Sequence, residues 1–172
     1  MTIHTSRLIL VPLDPKYLVS THAYANDIEN TKYMVHLPNA DIEETRSFLE
    51  EVYEEWQKEN PVFYEFAILL GQEHIGAVSI YLNQENNEGE LGWIINKKYW
   101  GRGYATEGAS AIVKFAHEEL DIRRFIAHCD SENISSYKVM EKLGLSLAGR
   151  MGGRKNRGSE EEREDLMYLL QF

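Results

Sequence analysis

The chain has 172 residues, of which 43% are hydrophobic and 27% charged, a composition typical of one globular domain. Its formal net charge of −10 argues against nucleic acid as a bulk partner, because phosphate binding needs a basic face. No apolar run approaches the roughly 20 residues of a membrane span, so no membrane partner is expected. The N-terminus also lacks the cationic start and long apolar stretch of a signal peptide.

The single cysteine, Cys129, cannot form an intramolecular disulfide. This usage is typical of a reducing, cytoplasmic location. Its apolar surroundings, RFIAHC, favour a small buried residue over a reactive nucleophile. The six histidines show no metal-ligand spacing, so we predict no metal site.

The first half of the chain predicts a strand, two helices and two further strands. The first strand is SRLILVPL, and helices follow at about 16–26 and 43–58. In the second helix, Phe48, Val52 and Trp56 recur every four residues and mark one apolar face. The next two strands are FYEFAILL and HIGAVSIYL, with a Gly-Gln-Glu turn between them.

The second half alternates strands with helices. ELGWII is a strand, ATEGASAIVKFAHEEL an amphipathic helix, RRFIAHC a strand, and SENISSYKVMEKLGL a helix that Gly144 ends. The chain closes with a short strand, SLAGR, then a glycine- and charge-rich turn, and then a last strand, REDLMYLLQF. The order β-α-α-β-β-β-α-β-α-β-β predicts an α/β fold with a mixed sheet, in one domain over residues 1–172.

The stretch KKYWGRGYATEG, residues 97–108, joins a strand that ends near Ile95 to a helix that begins near Tyr104. The first turn of a helix leaves its backbone N–H groups without internal partners, at the positive end of the helix dipole. Gly101 and Gly103 can take dihedral angles that aim several amides at one point. Three side chains add positive charge: Lys97, Lys98 and Arg102. Together these features predict an anion site, most naturally for phosphate or pyrophosphate.

Two other nucleotide-binding motifs match this stretch poorly. A P-loop needs Lys and then Ser or Thr after its last glycine, but Tyr104 and Ala105 follow Gly103. A dinucleotide-binding motif has a third glycine, where this chain has Thr106, and it lies near the first strand rather than behind four strands.

The run Lys98-x-x-Gly101-x-Gly103-Tyr104-Ala105 resembles the acetyl-CoA loop of the GNAT N-acetyltransferases, whose usual pattern is Gln/Arg-x-x-Gly-x-Gly/Ala. YWGRGYATEG, ENISSYKVMEKLGL and TSRLILVPL resemble, more narrowly, the branch that acetylates the N-termini of ribosomal proteins, the Rim type. The resemblance covers nearly the whole chain and is weakest over residues 150–162. It implies the GNAT fold, with a central, mostly antiparallel, twisted sheet, splayed middle strands and about four flanking helices.

The resemblance also implies direct transfer of an acetyl group from acetyl-CoA to an amine. The backbone of Trp93, Ile94 and Ile95 would pair with the pantetheine arm like an added strand. Asn133 matches the family asparagine that hydrogen-bonds this arm, although it also stands where a residue caps a helix. The pyrophosphate would be held by the strand-to-helix loop: Lys98, Gly101, Arg102, Gly103, Tyr104, Ala105 and Thr106.

The catalytic residues of the family are only partly present. Many members have a tyrosine as general acid seven residues after the asparagine, where this chain has Met140, which cannot donate a proton. In the Rim-like branch a serine three residues after the asparagine takes this role, and Ser136 stands there, with a helix-surface serine as the alternative. Glu90 is the first candidate for the base that keeps the amine neutral, and His128 is the second. A surface glutamate and an edge histidine are their structural alternatives.

Eight acids between residues 41 and 59 concentrate negative charge on the second helix, which the resemblance places beside the acceptor groove. An acidic lip would attract a cationic amine, and a solvated helix face is the alternative. Three functions stay open. The first is N-terminal acetylation of the ribosomal-protein type, the second is acetylation of a small amine such as a polyamine or aminoglycoside, and the third is a CoA-binding sensor without turnover. We expect a monomer or homodimer.

Overall fold

The computed structural model describes all 172 residues, in eight strands and four α-helices. The strands are β1 (Ile3–His4), β2 (Leu8–Pro12), β3 (Phe63–Leu70), β4 (Glu73–Asn83), β5 (Glu88–Ile95), β6 (Arg124–Asp130), β7 (Ser146–Lys155) and β8 (Glu162–Gln171). The helices are α1 (Leu18–Ala25), α2 (Ile42–Trp56), α3 (Tyr104–Glu119) and α4 (Ile134–Lys142). All predicted helices and strands are present, and the sequence analysis missed only the two-residue strand β1, which pairs with β2.

The eight strands form one sheet in the order β1-β2-β3-β4-β5-β6-β8-β7. Every neighbouring pair is antiparallel except β5 and β6, which are parallel. The prediction of a mixed, mostly antiparallel α/β sheet is therefore confirmed. No helix has both the length and the apolar character needed to cross a membrane.

The two parallel strands separate along their length. Their pairing runs from Glu88 opposite Arg124 to Leu91 opposite Ala127 and then stops. Past this point, residues 92–95 of β5 pair only with β4, and residues 128–130 of β6 pair only with β8. The predicted splay of the middle strands is thus present, and we call the space between these two segments the gap.

The sheet is covered on both faces, but by cores of different size. The larger apolar cluster packs α3 and α4 against one face, with Ile112, Ala116 and Met140 fully buried. The smaller cluster lies under α2, where Leu49 and Val52 are fully buried. This smaller core leaves room for a cavity between the sheet and α1 and α2.

The last hairpin departs from the prediction. The sequence analysis placed a glycine- and charge-rich turn after SLAGR, but β7 continues to Lys155, which pairs with Glu162 of β8. The register shifts twice along this pair, between Leu147 and Gly149 and between Met151 and Arg154. Such irregularities let a strand accommodate extra residues without ending, so glycines that indicated a turn lie inside a bulged strand instead.

Candidate functional site

The loop between β5 and α3 presents a row of free main-chain donors. Gly101 and Gly103 have φ angles of 75° and 81°, in the left-handed region that favours glycine, and α3 begins at Tyr104 as predicted. The first amide of the helix to find a partner is that of Glu107, which donates to the Gly103 carbonyl at 3.0 Å. The six N–H groups of residues 101–106 donate to no acceptor in the chain. Successive free amides at the start of a helix bind anions.

The three cations near this loop have different surroundings. The ammonium of Lys97 lies 2.8 Å from Asp27 and 2.9 Å from Glu29, so it ties the loop to the segment after α1. Lys98 is exposed and forms no ion pair within the chain. The guanidinium of Arg102 lies 5.9 Å from the centre of the Tyr99 ring. Lys98 and Arg102 therefore keep charge available to an anion, whereas two carboxylates compensate Lys97.

A residue that the sequence analysis did not single out, Arg7, braces the loop. Its Nε donates to the Glu107 carboxylate at 2.7 Å, and its NH1 donates to the Arg102 carbonyl at 2.9 Å. Its guanidinium also lies over the Tyr104 ring, 4.6 Å from the centroid. These contacts hold both sides of the turn from the residue just before β2, so they restrict where the free amides point.

The edge of β5 that borders the gap exposes alternate main-chain groups. Asn96 donates to the Ile75 carbonyl at 2.8 Å, so the alternation of an antiparallel pair directs the N–H and C=O of Ile94 toward β4. The N–H and C=O of Trp93, and the N–H of Ile95, consequently face the gap. The Ile95 carbonyl already accepts bonds from Asn30 and from the Trp100 indole. Of the three residues predicted to pair with a pantetheine arm, Trp93 and Ile95 offer main-chain groups to the gap.

A cavity of about 800 Å³ opens from the gap across the sheet face that α1 and α2 cover. We call it the acceptor cavity. It is large enough for a small-molecule substrate. Six of the residues predicted for the site line it: Glu90, Trp93, Ile94, His128, Asn133 and Ser136. The predicted catalytic candidates thus meet in one place, while residues 98–106, which follow the C-terminal end of β5, lie outside the lining.

The start of α4 places Asn133 and Ser136 at the edge of this cavity. Asn133 caps the helix, since its Oδ1 accepts from the Ser136 amide at 3.3 Å and from the Ser135 hydroxyl at 3.1 Å. Its Nδ2 has no partner in the chain and remains a donor. The Ser136 hydroxyl is half-buried and also makes no hydrogen bond in the chain, whereas Met140 is buried in the core on the inner side of α4.

The two candidate bases differ in how they are held. The Nδ1 of His128 lies 2.7 Å from Oδ2 of Asp165 on the neighbouring strand β8. The other oxygen of Asp165 accepts from Arg154 at 2.6 Å, and Arg154 also donates to the Tyr33 carbonyl. A carboxylate on Nδ1 fixes the orientation of an imidazole and leaves Nε2 free. Glu90 is exposed and has no hydrogen-bonding partner.

The acidic helix contributes less to the cavity than its charge suggests. Of its eight acids, Glu44 and Glu51 line the cavity. Glu44 forms an ion pair with Arg157 of the last hairpin, and this hydrogen bond holds the pKa of Glu44 below its ordinary value. Glu55 is buried and binds Lys58. The acidic-lip interpretation therefore applies to Glu51, and the solvated-face interpretation applies to most of the others.

The sequence analysis missed a buried carboxyl group in the cavity wall. Glu65 of β3 is 8% exposed and accepts from the Tyr81 hydroxyl at 2.8 Å. Burial raises its pKa to about 7, against the lowering effect of hydrogen bonds from Tyr81 and Ser79. A charged residue inside the apolar run FYEFAILL was the available signal, because such residues are seldom buried without a role.

A family model described as an acetyltransferase (GNAT) domain matches residues 7–146. The chain belongs to the GNAT acetyltransferase family. Its relatives include the uncharacterized N-acetyltransferase YnaD of Bacillus subtilis strain 168, 30% identical over 151 residues that cover 87% of this chain and 85% of YnaD. The predicted membership among N-acetyltransferase enzymes is confirmed.

Solved structures of the family share the fold. A GNAT acetyltransferase from Bacillus anthracis superposes with a TM-score of 0.85 at 27% identity, covering 99% of this chain and 98% of that one. RimL, a ribosomal L7/L12 α-N-protein acetyltransferase solved with coenzyme A, superposes with a TM-score of 0.88 and covers 100% of this chain and 98% of its own. RimL is 20% identical to this chain, so the likeness between the two is one of fold.

Proposed function

We propose that this protein is an acetyl-CoA-dependent N-acetyltransferase that moves the acetyl group directly to a primary amine within a ternary complex. The observation that carries this proposal is the row of six unpartnered amides at residues 101–106, beside the open edge of β5. Such a corner suits a diphosphate, and the open strand edge suits the amide-containing arm attached to it. We treat residues 1–172 as one catalytic domain, because all eight strands belong to one sheet.

The residues around the loop match the chemistry of coenzyme A. The amides of residues 101–106 would hold the pyrophosphate, with Lys98 and Arg102 adding charge. The Trp93 carbonyl and the Ile95 N–H would pair with the pantetheine arm, and the free Nδ2 of Asn133 would donate to it. The cosubstrate supplies the thioester, an acyl group activated for transfer.

The side chains that meet in the acceptor cavity can serve each proton step of acyl transfer. The amine nitrogen attacks the thioester carbonyl carbon, the carbon–sulfur bond breaks, and the nitrogen loses one proton. His128, held by Asp165, accepts that proton through Nε2, and Ser136 donates to the departing thiolate. The Trp93 N–H faces the gap and is placed to stabilise the oxyanion.

Glu90 is the second candidate for the base. It lines the same cavity and lies on the same sheet face as His128, but no neighbouring group orients it. A base works best when its position is fixed relative to the attacking atom, which favours His128.

Two acceptor classes have support. A protein N-terminal α-amine of the ribosomal-protein type is supported by the motifs in the loop and in α4, which resemble those of the Rim-type branch. A small cationic amine is supported by the cavity itself, whose walls include the carboxyl groups of Glu51, Glu65 and Glu90. The oriented His128 argues for turnover rather than for a sensor that only binds coenzyme A.

The test is release of coenzyme A thiol from acetyl-CoA in the presence of N-terminal peptides and small amines, with acetylated products identified by mass spectrometry. Calorimetric titration with acetyl-CoA and with dephospho- and pantetheine-only analogues separates binding from turnover. We expect saturable binding that depends on the diphosphate, and amine-dependent thiol release. Binding that is equally tight for pantetheine alone would refute the role of the loop.

A further inference from the structure

The acceptor cavity extends well beyond the gap, along one row of the sheet. In the strand register Glu65 lies opposite Ser79, and Ser79 lies opposite Gly92. Ala127 is opposite Leu91, so His128, the next residue of β6, continues the row on the far side of the gap. A Cβ at Gly92 would stand 2.7 Å from the Ser79 hydroxyl, so the glycine keeps the row open. The result is a trench that runs from His128 to Glu65.

The far end of the trench is closed and polar. Glu65 lies two strands beyond β5, about 10 Å away at the usual spacing of strands. Its carboxyl group accepts from Tyr81 and keeps lone pairs toward the cavity, which it lines. A carboxyl group at the bottom of a trench is a recognition element for a group with several N–H donors.

Two hydroxyl groups from α1 complete this end of the trench. Thr21 and Tyr24 line the cavity and are each 2% exposed. They are one turn apart, and the Thr21 hydroxyl is close enough to affect the pKa of Tyr24, but neither hydroxyl has a partner with hydrogen-bond geometry. The Glu65 carboxylate also lies close enough to act on the Tyr24 phenol. Buried hydroxyls without partners are rare, because losing water without replacement is unfavourable.

We propose that Glu65, Thr21 and Tyr24 form a subsite for a second ammonium group of the acceptor, about 10 Å from the amine that is acetylated. An ammonium has three donors, and the carboxylate and the two hydroxyls supply three acceptors. This inference rests on the proposed acetyl transfer and deepens it. The favoured acceptor is a cation with two separated amines, supplied by a small polyamine-like molecule or by a peptide with a lysine near its N-terminus.

The experiment compares diaminoalkanes of increasing length with monoalkylamines of the same length, by kcat/KM for thiol release. In the wild type, a diamine long enough to reach Glu65 should exceed its matched monoamine by about ten- to hundredfold, as expected for one charge-assisted hydrogen-bonded contact. N-terminal peptides with lysine or norleucine at the first two positions form the second arm. A preference confined to the diamines identifies the acceptor as a small molecule. A preference confined to the lysine peptides identifies the acceptor as a protein N-terminus.

Tyr24→Phe separates a ligand role from a structural one. Because its hydroxyl has no partner in the chain, the variant should melt at the same temperature as the wild type or higher, yet lose most of the diamine preference. Glu65→Gln should bring the ratio of diamine to monoamine close to one. Tyr53→Phe, an exposed tyrosine of α2, is the matched control and should keep the wild-type ratio.

The outcomes separate this inference from the proposed function. If diamines and monoamines of every length react equally well, and lysine peptides gain nothing over norleucine peptides, acetyl transfer stands and the subsite is refuted. A diamine preference that survives both Tyr24→Phe and Glu65→Gln also refutes it. If the protein binds no acetyl-CoA and releases no thiol with any amine, the proposed function fails and this inference fails with it.

Discussion

The buried carboxyl group of Glu65 makes the stability of the fold depend on pH, and one substitution isolates that dependence. Burial raises its pKa from an ordinary 4.5 to about 7. The folded protein therefore holds this proton more tightly than the unfolded chain does. The stability that the protonated Glu65 carboxyl group contributes is fully present below about pH 4.5 and is lost as the pH rises through about 7.

The size of the effect follows from the two pKa values. They differ by about 2.5, from 4.5 to about 7, and each unit corresponds to about 1.4 kcal/mol. The free energy of unfolding should thus fall by about 3 kcal/mol as this group ionises between about pH 4.5 and about pH 7. Glu65→Gln removes the titrating proton but keeps an oxygen that can accept from Tyr81.

Urea unfolding of the wild type and of Glu65→Gln at about pH 5 and about pH 8 measures this fall in the free energy of unfolding, since most of the fall lies within that pH interval. Relative to the wild type, Glu65→Gln should gain about 2 to 3 kcal/mol on going to the higher pH. Glu54→Gln, an exposed acid of α2 outside the cavity, should change in parallel with the wild type. Parallel behaviour of Glu65→Gln as well would show that the carboxyl group is not desolvated, and would refute the reasoning.

Three further substitutions test the proposed catalytic roles. Gly103→Asp should weaken acetyl-CoA binding at least about a hundredfold by calorimetry, since it puts a carboxylate among the amides proposed to hold the diphosphate. Gly152→Asp, in open space, should bind normally, and equal affinity for both would defeat the loop assignment. Ser136→Ala should lower kcat about tenfold or more while the Kd for acetyl-CoA stays the same, and a wild-type kcat would exclude Ser136 as the acid. His128→Gln should lower kcat/KM by about 10² to 10⁴; a wild-type kcat/KM in His128→Gln together with a comparable loss in Glu90→Gln would make Glu90 the base.

Much of the fold and one part of the site were predictable, because their signals are local. The helices follow from the spacing of apolar residues. The stretch at residues 97–108 comes just after a strand end and contains three glycines and a helix start within twelve residues. The hairpin at β7 was predicted wrongly for a local reason as well. Its glycines are typical of a turn, but pairing with β8 keeps them in a bulged strand.

The missed contacts join residues that are distant in sequence. Glu107 is 100 positions from Arg7, Asp165 is 37 from His128, and Tyr81 is 16 from Glu65. Each pair depends on which strands are neighbours and in which register they lie, and a shift of one residue would turn each side chain to the other face. No periodicity within a single segment carries that information.

By itself the sequence determined the order of strands and helices, the glycine-containing corner before α3 that we propose as the anion site, and the presence of a charged residue within an apolar strand. Only the tertiary structure decided that Glu65, Gly92 and His128 lie in one row, and that Thr21 and Tyr24 face its closed end without partners. The physical reason is that secondary structure arises from neighbours along the chain, whereas a cavity arises from the register of strands and the placement of helices over them.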